Sequence, residues 1–518
     1  DSLYRRLILD ETWATQRYEY GYRDVRPQPL LTSFAGKPYI DVRASFNSFI
    51  PQGISDELAG KLVEFYLSWL SKNPHLHDKV EFDVVPTCLG LDFPRWEQRL
   101  KTEAGLSDTE LSDLKSGLRQ VTCNGIDRTA GDIETTAILG ERLAAIKGKL
   151  NDYPASRLLG IALNLLEDCK RYGTLPFAHL ARSGFVAVTL LKEAVATGVL
   201  SEQAKNQFMS SVRTVSHELT EDAHAVVAGS LSWDAFVDKY GHLRPGTYDI
   251  TSPAYRDDPE KYLRPILDKA SAEGAHLAEE VVLWEQERAA FFNAVRSEGI
   301  NYTDGELEQF LRQAIEGRES AKFVFSRNLS LALDLIVRWG EQYGIGREEL
   351  ASLSIQELLD AAQTPQSEEV VAKKLKTTAD YHARFRTVAL SCELPALLTS
   401  KDDFFSFLLH EGQPNFVGQT RVLTDCVNLA DRSPEDQPDV SGKIVMIPQA
   451  DPGYDWLFGQ GIAGLVTMYG GANSHMAIRA AEFAMPAAIG IGEQMYRQLA
   501  KASVLELDPA NSQLKAIH

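Results

Sequence analysis

The string Gly470-Gly-Ala-Asn473-Ser474-His475-Met-Ala-Ile-Arg479-Ala-Ala-Glu482 contains residues whose types and order can carry a phosphoryl group. A Gly-Gly turn after an apolar run ends a strand, and Asn473 or Ser474 is suited to cap a new helix. His475 then falls in the first helical turn. There, free backbone N–H groups and the positive end of the helix dipole favour an anion. An imidazole titrates near neutrality, so it can be an unprotonated nucleophile. Arg479 lies four residues on, along the same face. Ser474 and Arg479 are therefore phosphate-binding candidates beside His475. The plainer reading is a surface or capping histidine at an ordinary turn, and for an isolated Ser-His pair it would be the better one.

Three further segments combine chemistry with spacing. In Arg318-Glu319-Ser-Ala-Lys322, the two cations stand at i and i+4 and project from one face of a helix, and Glu319 can orient one of them. Paired cations on a rigid helix suit phosphoryl transfer, which is mostly positioning and charge neutralisation. Taken alone, the pattern favours a solvated charged face. The loop Tyr240-Gly-His242-Leu-Arg244-Pro-Gly-Thr-Tyr-Asp249 crowds ionisable groups among Gly and Pro. His242 is a candidate general base there, and Arg244 and Asp249 are candidate substrate contacts. A packed turn capped locally by Asp249 weighs about equally. In Tyr39-Ile-Asp-Val-Arg43-Ala-Ser-Phe-Asn47, Arg43 and Asn47 are candidate contacts to phosphate or to an amino-acid acceptor. A strand followed by a buried aromatic turn is slightly favoured. His217 to His224 lacks the HExxH spacing, and no metal site is expected. Neither a Walker string nor a GxGxxG after a strand is present.

The elements that must position these residues fall into three zones. Residues 1–95 are a mixed α/β part with strand candidates at Tyr39–Arg43 and Phe82–Pro86. Residues 96–415 are mainly helical, with apolar three-and-four spacing over Leu158–Leu166 and Leu329–Val337. A polar stretch, Asp431–Pro438, leads into a compact α/β unit within 420–518, with strands at Lys443–Ile447, Gly464–Met468 and Val504–Leu507 and a helix opening near Ser474. The fold class is thus multidomain α+β.

The chain has 518 residues and a formal net charge of -19. A bulk acidic surface repels phosphate backbones, so neither nucleic acid nor an anionic membrane is an expected partner. Phosphate chemistry must then rely on local cationic pockets. The most apolar stretch, Gly184–Leu200, is broken by Lys192 and Glu193. Five cysteines without a CxxC pair suggest a reducing, cytoplasmic setting.

The segment from Gly470 through Gly492, with Ile447-Pro-Gln-Ala-Asp451-Pro-Gly-Tyr-Asp-Trp456 upstream, resembles the phosphohistidine swivelling domain of PEP-utilising enzymes. That family includes pyruvate phosphate dikinase, PEP synthase and rifampin phosphotransferase. The resemblance covers about residues 420–518. It departs from the usual pattern at Asn473, where Thr is common, and at Met476, where a small residue is common. The string Arg318-Glu319-x-x-Lys322, followed by Leu335-Ile-Val-Arg-Trp-Gly340, resembles the acceptor-domain helix of the rifampin phosphotransferase group. The loop at 240–259 resembles a loop of the same domain.

The resemblance implies a shuttle. An ATP-grasp domain, with ATP and Mg2+, phosphorylates His475, and the swivelling domain carries the group to an acceptor held near Arg318, Glu319 and Lys322. No PEP/pyruvate barrel follows His475 before residue 518, which makes PEP or pyruvate an improbable acceptor. The order of parts is similar to rifampin phosphotransferase and to the L-glutamine kinase group of capsular phosphoramidate biosynthesis. The preferred acceptor is the amide of L-glutamine, ahead of an antibiotic or sugar hydroxyl. Nothing in the chain resembles an ATP-grasp fold, so that domain is expected upstream or on a separate polypeptide. The competing class is a non-catalytic phosphohistidine relay, against which the large helical body counts.

Overall fold

The structure is a computed structural model. It describes residues 2–517 except 35, 274–281, 364–366, 392–393, 396, 402, 404–413, 431–437, 451, 472–473 and 484. The chain divides into two compact units: residues 1–70, 81–219 and 277–392 form the first, and residues 71–80, 220–276 and 393–518 form the second. The units run across the boundaries expected near residues 95 and 415. The physical reason is that 220–276 packs against the C-terminal sheet domain, as described below.

In the first unit a helical segment over residues 2–20 is followed by a short hairpin, β1 (Leu31–Phe34) and β2 (Lys37–Ile40). The strand expected over Tyr39–Arg43 stops at Ile40. The Asp41 carboxylate accepts the Ala44 N–H at 3.1 Å and starts helix α1 (Val42–Asn47) instead. Phe82–Pro86 is not a strand either. Val80–Val84 is a π-helical turn, with the Phe82 ring edge-on to Phe185 at 5.3 Å. Tertiary contacts override the local β-branched signal there.

The core of this unit is a bundle of α2 (Asp108–Lys147), α3 (Leu158–Cys169), α4 (Leu175–Ala196) and α5 (Asp304–Glu341). Helix α5 packs on the other three. It begins at a capping box: the Thr303 hydroxyl accepts the Glu306 N–H, and the Glu306 carboxylate accepts the Thr303 N–H at 2.8 Å. Its buried residues Leu307, Leu311, Ala314, Ala321 and Phe325 recur at helical spacing and fix which face looks inward. Residues 155–196 include a stretch long and apolar enough to cross a membrane, extending earlier than the sequence alone suggested. Of that apolar stretch 61% is buried, its helices packing on α5 and α2, as expected for a core helix.

The second unit centres on a seven-stranded sheet in the order β3-β7-β6-β5-β4-β8-β9. The strands are β3 (Asn415–Val417), β4 (Val422–Asn428), β5 (Ile444–Gln449), β6 (Gly464–Tyr469), β7 (Ala487–Ile489), β8 (Val504–Asp508) and β9 (Gln513–Ile517). Strands β4 to β7 run parallel, and the outer pairings are antiparallel. Val445 and Ile447 of β5 face a cluster with Met476 and Ala480 of helix α6 (His475–Glu482). Ile444 and Met446 face the opposite cluster with Tyr496 and Leu499. Both faces are covered, so the strand reads as an unbroken apolar run rather than an alternation.

Candidate functional site

Helices α4 and α5 cross closely where Gly184 meets α5. A Cβ at Gly184 would lie 3.3 Å from the Ala314 carbonyl oxygen and 3.5 Å from Arg318 Cδ. This crossing sets the Arg318 guanidinium over the Phe185 ring, 5.3 Å from its centroid. Arg318 Nε is 3.8 Å from a Glu319 carboxylate oxygen. Lys322, one turn on, is half-buried and has no ion-pair partner among the described residues. The two cations therefore share one helix face inside the bundle rather than on a fully solvated surface.

Phe185 joins Arg318 to a buried cluster that the sequence did not reveal. Arg182 sits 5.4 Å from the same ring and donates from Nη2 to Glu81 Oε1 at 2.9 Å. Arg17 reaches the same oxygen at 3.4 Å, donates to Ser48 Oγ at 2.6 Å and lies 3.4 Å over the Phe49 ring. Arg17 is 0% and Arg182 4% exposed, an unusual depth for guanidinium groups. Burial alone would raise the Glu81 carboxyl, but Arg182 and Arg17, with Arg318 adding to the field, hold it below its ordinary range. Burial and the repulsion of Arg182 push the Arg17 guanidinium down. Glu81 is thus chiefly the partner of Arg182, and Arg17 is the under-compensated cation. Their contributors stand at residues 17, 81 and 182, with no motif spacing to betray them.

In the second unit, strand β6 ends at Gly470, whose φ is +143°, and β7 ends beside Gly490, whose φ is +71°. A Cβ on Gly490 would meet the Gly470 carbonyl oxygen at 2.1 Å, so the two strand ends touch through glycine backbone. Ser474 caps helix α6, its hydroxyl accepting the Ala477 N–H at 3.3 Å. His475 is the first residue of that helix. The side chain of His475, together with Asn473 and Asp451, lies outside the described residues. Arg479 is buried 3.6 Å from Asp455 and stacks on Phe483 at 4.5 Å. Residues 439–511, which hold this strand–glycine–helix passage, match the family described as PEP-utilising enzyme, mobile domain. Over those residues the chain is similar to the mobile domain of PEP-utilising enzymes. The chain is also 28% identical, over 282 residues, to a rifampicin phosphotransferase from Streptomyces sp. That match takes in 50% of this chain and spans only 31% of the relative's length.

The loop after Tyr240 packs on the mobile domain. The Tyr255 hydroxyl donates to the Gly453 carbonyl at 2.5 Å, and a Cβ on Gly453 would lie 2.0 Å from the Arg244 carbonyl oxygen. Trp456 meets Tyr262 edge-on at 6.1 Å. His242 is buried, with Nδ1 3.1 Å from the Lys239 carbonyl; an oxygen that can only accept makes Nδ1 the proton-bearing nitrogen of the neutral ring. Arg244 is buried and donates to the Ser252 carbonyl at 2.6 Å. Asp249 accepts from the Thr251 N–H at 2.9 Å and from the Thr251 hydroxyl at 2.8 Å, a local turn cap. Arg43 is exposed on α1 and paired with Glu64 at 2.6 Å. Asn47 donates to the Arg43 carbonyl at 3.0 Å. The structure therefore brings Arg318, Glu319 and Lys322 together in the first unit. It groups His242, Arg244 and Asp249 with the His475 domain in the second. Arg43 and Asn47 stand apart on their own short helix.

Proposed function

We propose that the chain is the carrier and acceptor portion of a phosphotransferase that works through phosphohistidine. In this reading ATP, bound with Mg2+ by an ATP-grasp domain on the same or another polypeptide, phosphorylates His475. The phosphoryl group then passes to a small acceptor near Arg318 and Lys322. The observation that carries the reading is the position of His475 at the opening of a Ser-capped helix within the matched mobile domain. A neutral imidazole nitrogen attacks phosphorus, and the helix N-terminus favours the charge of the bound group. Arg318 and Lys322 neutralise the transferring group, and Glu319 orients Arg318. The preferred acceptor is the amide nitrogen of L-glutamine. A hydroxyl acceptor, as in an antibiotic, is the second reading, and the name of the Streptomyces relative favours it.

The reading can be tested on this chain without its nucleotide-binding partner. Potassium phosphoramidate phosphorylates histidine chemically. Chain treated with it should gain an acid-labile phosphate at His475, and His475→Ala should not. Phosphorus NMR after adding L-glutamine should then show a new phosphorus–nitrogen resonance. A stable phosphohistidine that ignores L-glutamine but discharges to a hydroxyl compound would support the second reading. A His475→Ala chain that took up acid-labile phosphate and discharged it as well as wild type would end both.

A further inference from the structure

The buried cluster of Arg17, Glu81 and Arg182 leaves specific hydrogen-bonding atoms unmatched. Among the described residues, Arg17 Nε, Arg182 Nε and Arg182 Nη1 are buried donors with no partner, and Glu81 Oε2 is a buried acceptor with none. Unmatched buried polar atoms are costly, and charged ones most of all. Two guanidinium groups also share one carboxylate oxygen, so the cluster carries more positive than negative charge. The spare donors therefore call for an oxyanion, and the spare Glu81 oxygen calls for a donor beside it. The rings of Phe49 and Phe185 hold the guanidinium planes in place: Arg182 lies over both, at 5.0 and 5.4 Å. Phe185 in turn carries Arg318 on α5. The cluster thus adjoins the face proposed for phosphoryl transfer and belongs to the same compact unit.

We propose that Arg17, Arg182 and Glu81 form a recognition subsite for an acceptor that bears a carboxylate and a hydrogen-bond donor next to it, the chemistry of a free α-amino acid. The carboxylate takes the spare Arg17 and Arg182 donors. The ammonium donates to Glu81 Oε2. The remainder of the acceptor extends past Phe185 toward Arg318 and Lys322. The subsite deepens the phosphotransferase reading and rests on it for the word acceptor. The ligand chemistry itself rests on the unmatched atoms alone. Inorganic phosphate would satisfy the arginines but not Glu81.

Binding can be read without any phosphoryl transfer. The common L-amino acids and inorganic phosphate would be screened singly against the full chain by thermal shift. Any stabilising amino acid would then be measured by calorimetry beside its decarboxylated and its des-amino analogues. The expected result is that at least one amino acid raises Tm, and that removing either charged group weakens binding about tenfold or more, as for a lost charge-assisted hydrogen bond. Arg182→Lys and Arg17→Lys, checked for folding by circular dichroism, should weaken it similarly, because Lys cannot reproduce the guanidinium fork. If either variant fails to fold, the ligand analogues decide the question on wild type. The subsite is overturned if no amino acid binds, if phosphate alone binds as well, or if folded variants bind unchanged. Chemical phosphorylation of His475, measured in parallel, reports on the shuttle separately. A chain that forms phosphohistidine but ignores every amino acid keeps the shuttle and loses the subsite.

Discussion

Glu81 is the residue on which the buried cluster balances. Its Oε1 faces Arg182 at 2.9 Å and Arg17 at 3.4 Å. Replacing it by Gln leaves two buried cations without a counter-charge, and breaking such a pair costs about 3 kcal/mol or more. Glu81→Gln should therefore lower the urea midpoint clearly; an unchanged midpoint would mean the arginines are compensated elsewhere. The pH dependence has a definite sign. The folded carboxyl is held below its ordinary value. The stabilisation is thus fully present above about pH 4.3, the unfolded value, and is lost as pH falls through the folded one. Wild type should show this acid-side loss, and the Gln variant should lack that component. At the other end of Phe185, Lys322→Ala should leave chemical phosphorylation of His475 intact and slow discharge to the acceptor by about a hundredfold, the scale of one lost transition-state contact. Equal discharge rates in single-turnover experiments would remove Lys322 from the proposed role. Lys322 and Arg318 were visible in the sequence because i, i+4 spacing on a helix is a local pattern. Arg17, Glu81 and Arg182 were not, because three separate elements bring them together and none has a distinctive neighbourhood.

At the scale of the element, glycine pairs and caps decide where side chains can stand. Gly490 combines a left-handed φ with backbone contact to Gly470. Gly490→Ala meets the strain of that φ, about 1–2 kcal/mol. It also places a methyl 2.1 Å from a carbonyl oxygen, which no rotamer can relieve. The loop that leads into His475 should shift, so chemical phosphorylation of His475 should fall even where circular dichroism shows the fold retained. Wild-type labelling in a folded Gly490→Ala chain would mean this glycine contact does not position the histidine. The C-terminal strands were readable because both sheet faces are covered, which makes Ile444–Ile447 continuously apolar. The helix after Ser474 was readable because its cap is chemical. Short strands such as Asn415–Val417 and Ala487–Ile489 carry too few residues for a period to register. Phe82–Pro86 carried a strand-like composition, yet its neighbours Phe185 and the Glu81 partners set its backbone.

At the scale of the whole chain, the second unit is assembled from stretches far apart in sequence, and composition gives no hint of it. Residues 220–276 read as more of the helical body. They join the mobile domain because small residues let backbones touch: Gly453 against Arg244 and Pro245, and Gly459 against Pro265. Such contacts have no sequence period, and only the fold brings them together. They make a prediction about cooperativity. In Gly453→Ala the new methyl would lie 2.0 Å from the Arg244 carbonyl oxygen, and the Tyr255 bond to Gly453 should weaken as the segments part. Amide exchange should then rise over 241–258 and 452–459. Helix α5, whose protection comes from α2, α3 and α4, should keep its slow exchange. If protection falls equally across α5, the units unfold as one cooperative body and the loop is no separate clamp on the mobile domain. If exchange rises only at the loop, then 241–258 can release the domain that carries His475 without disturbing the helical bundle of the first unit. The proposed phosphohistidine carrier role requires that independence.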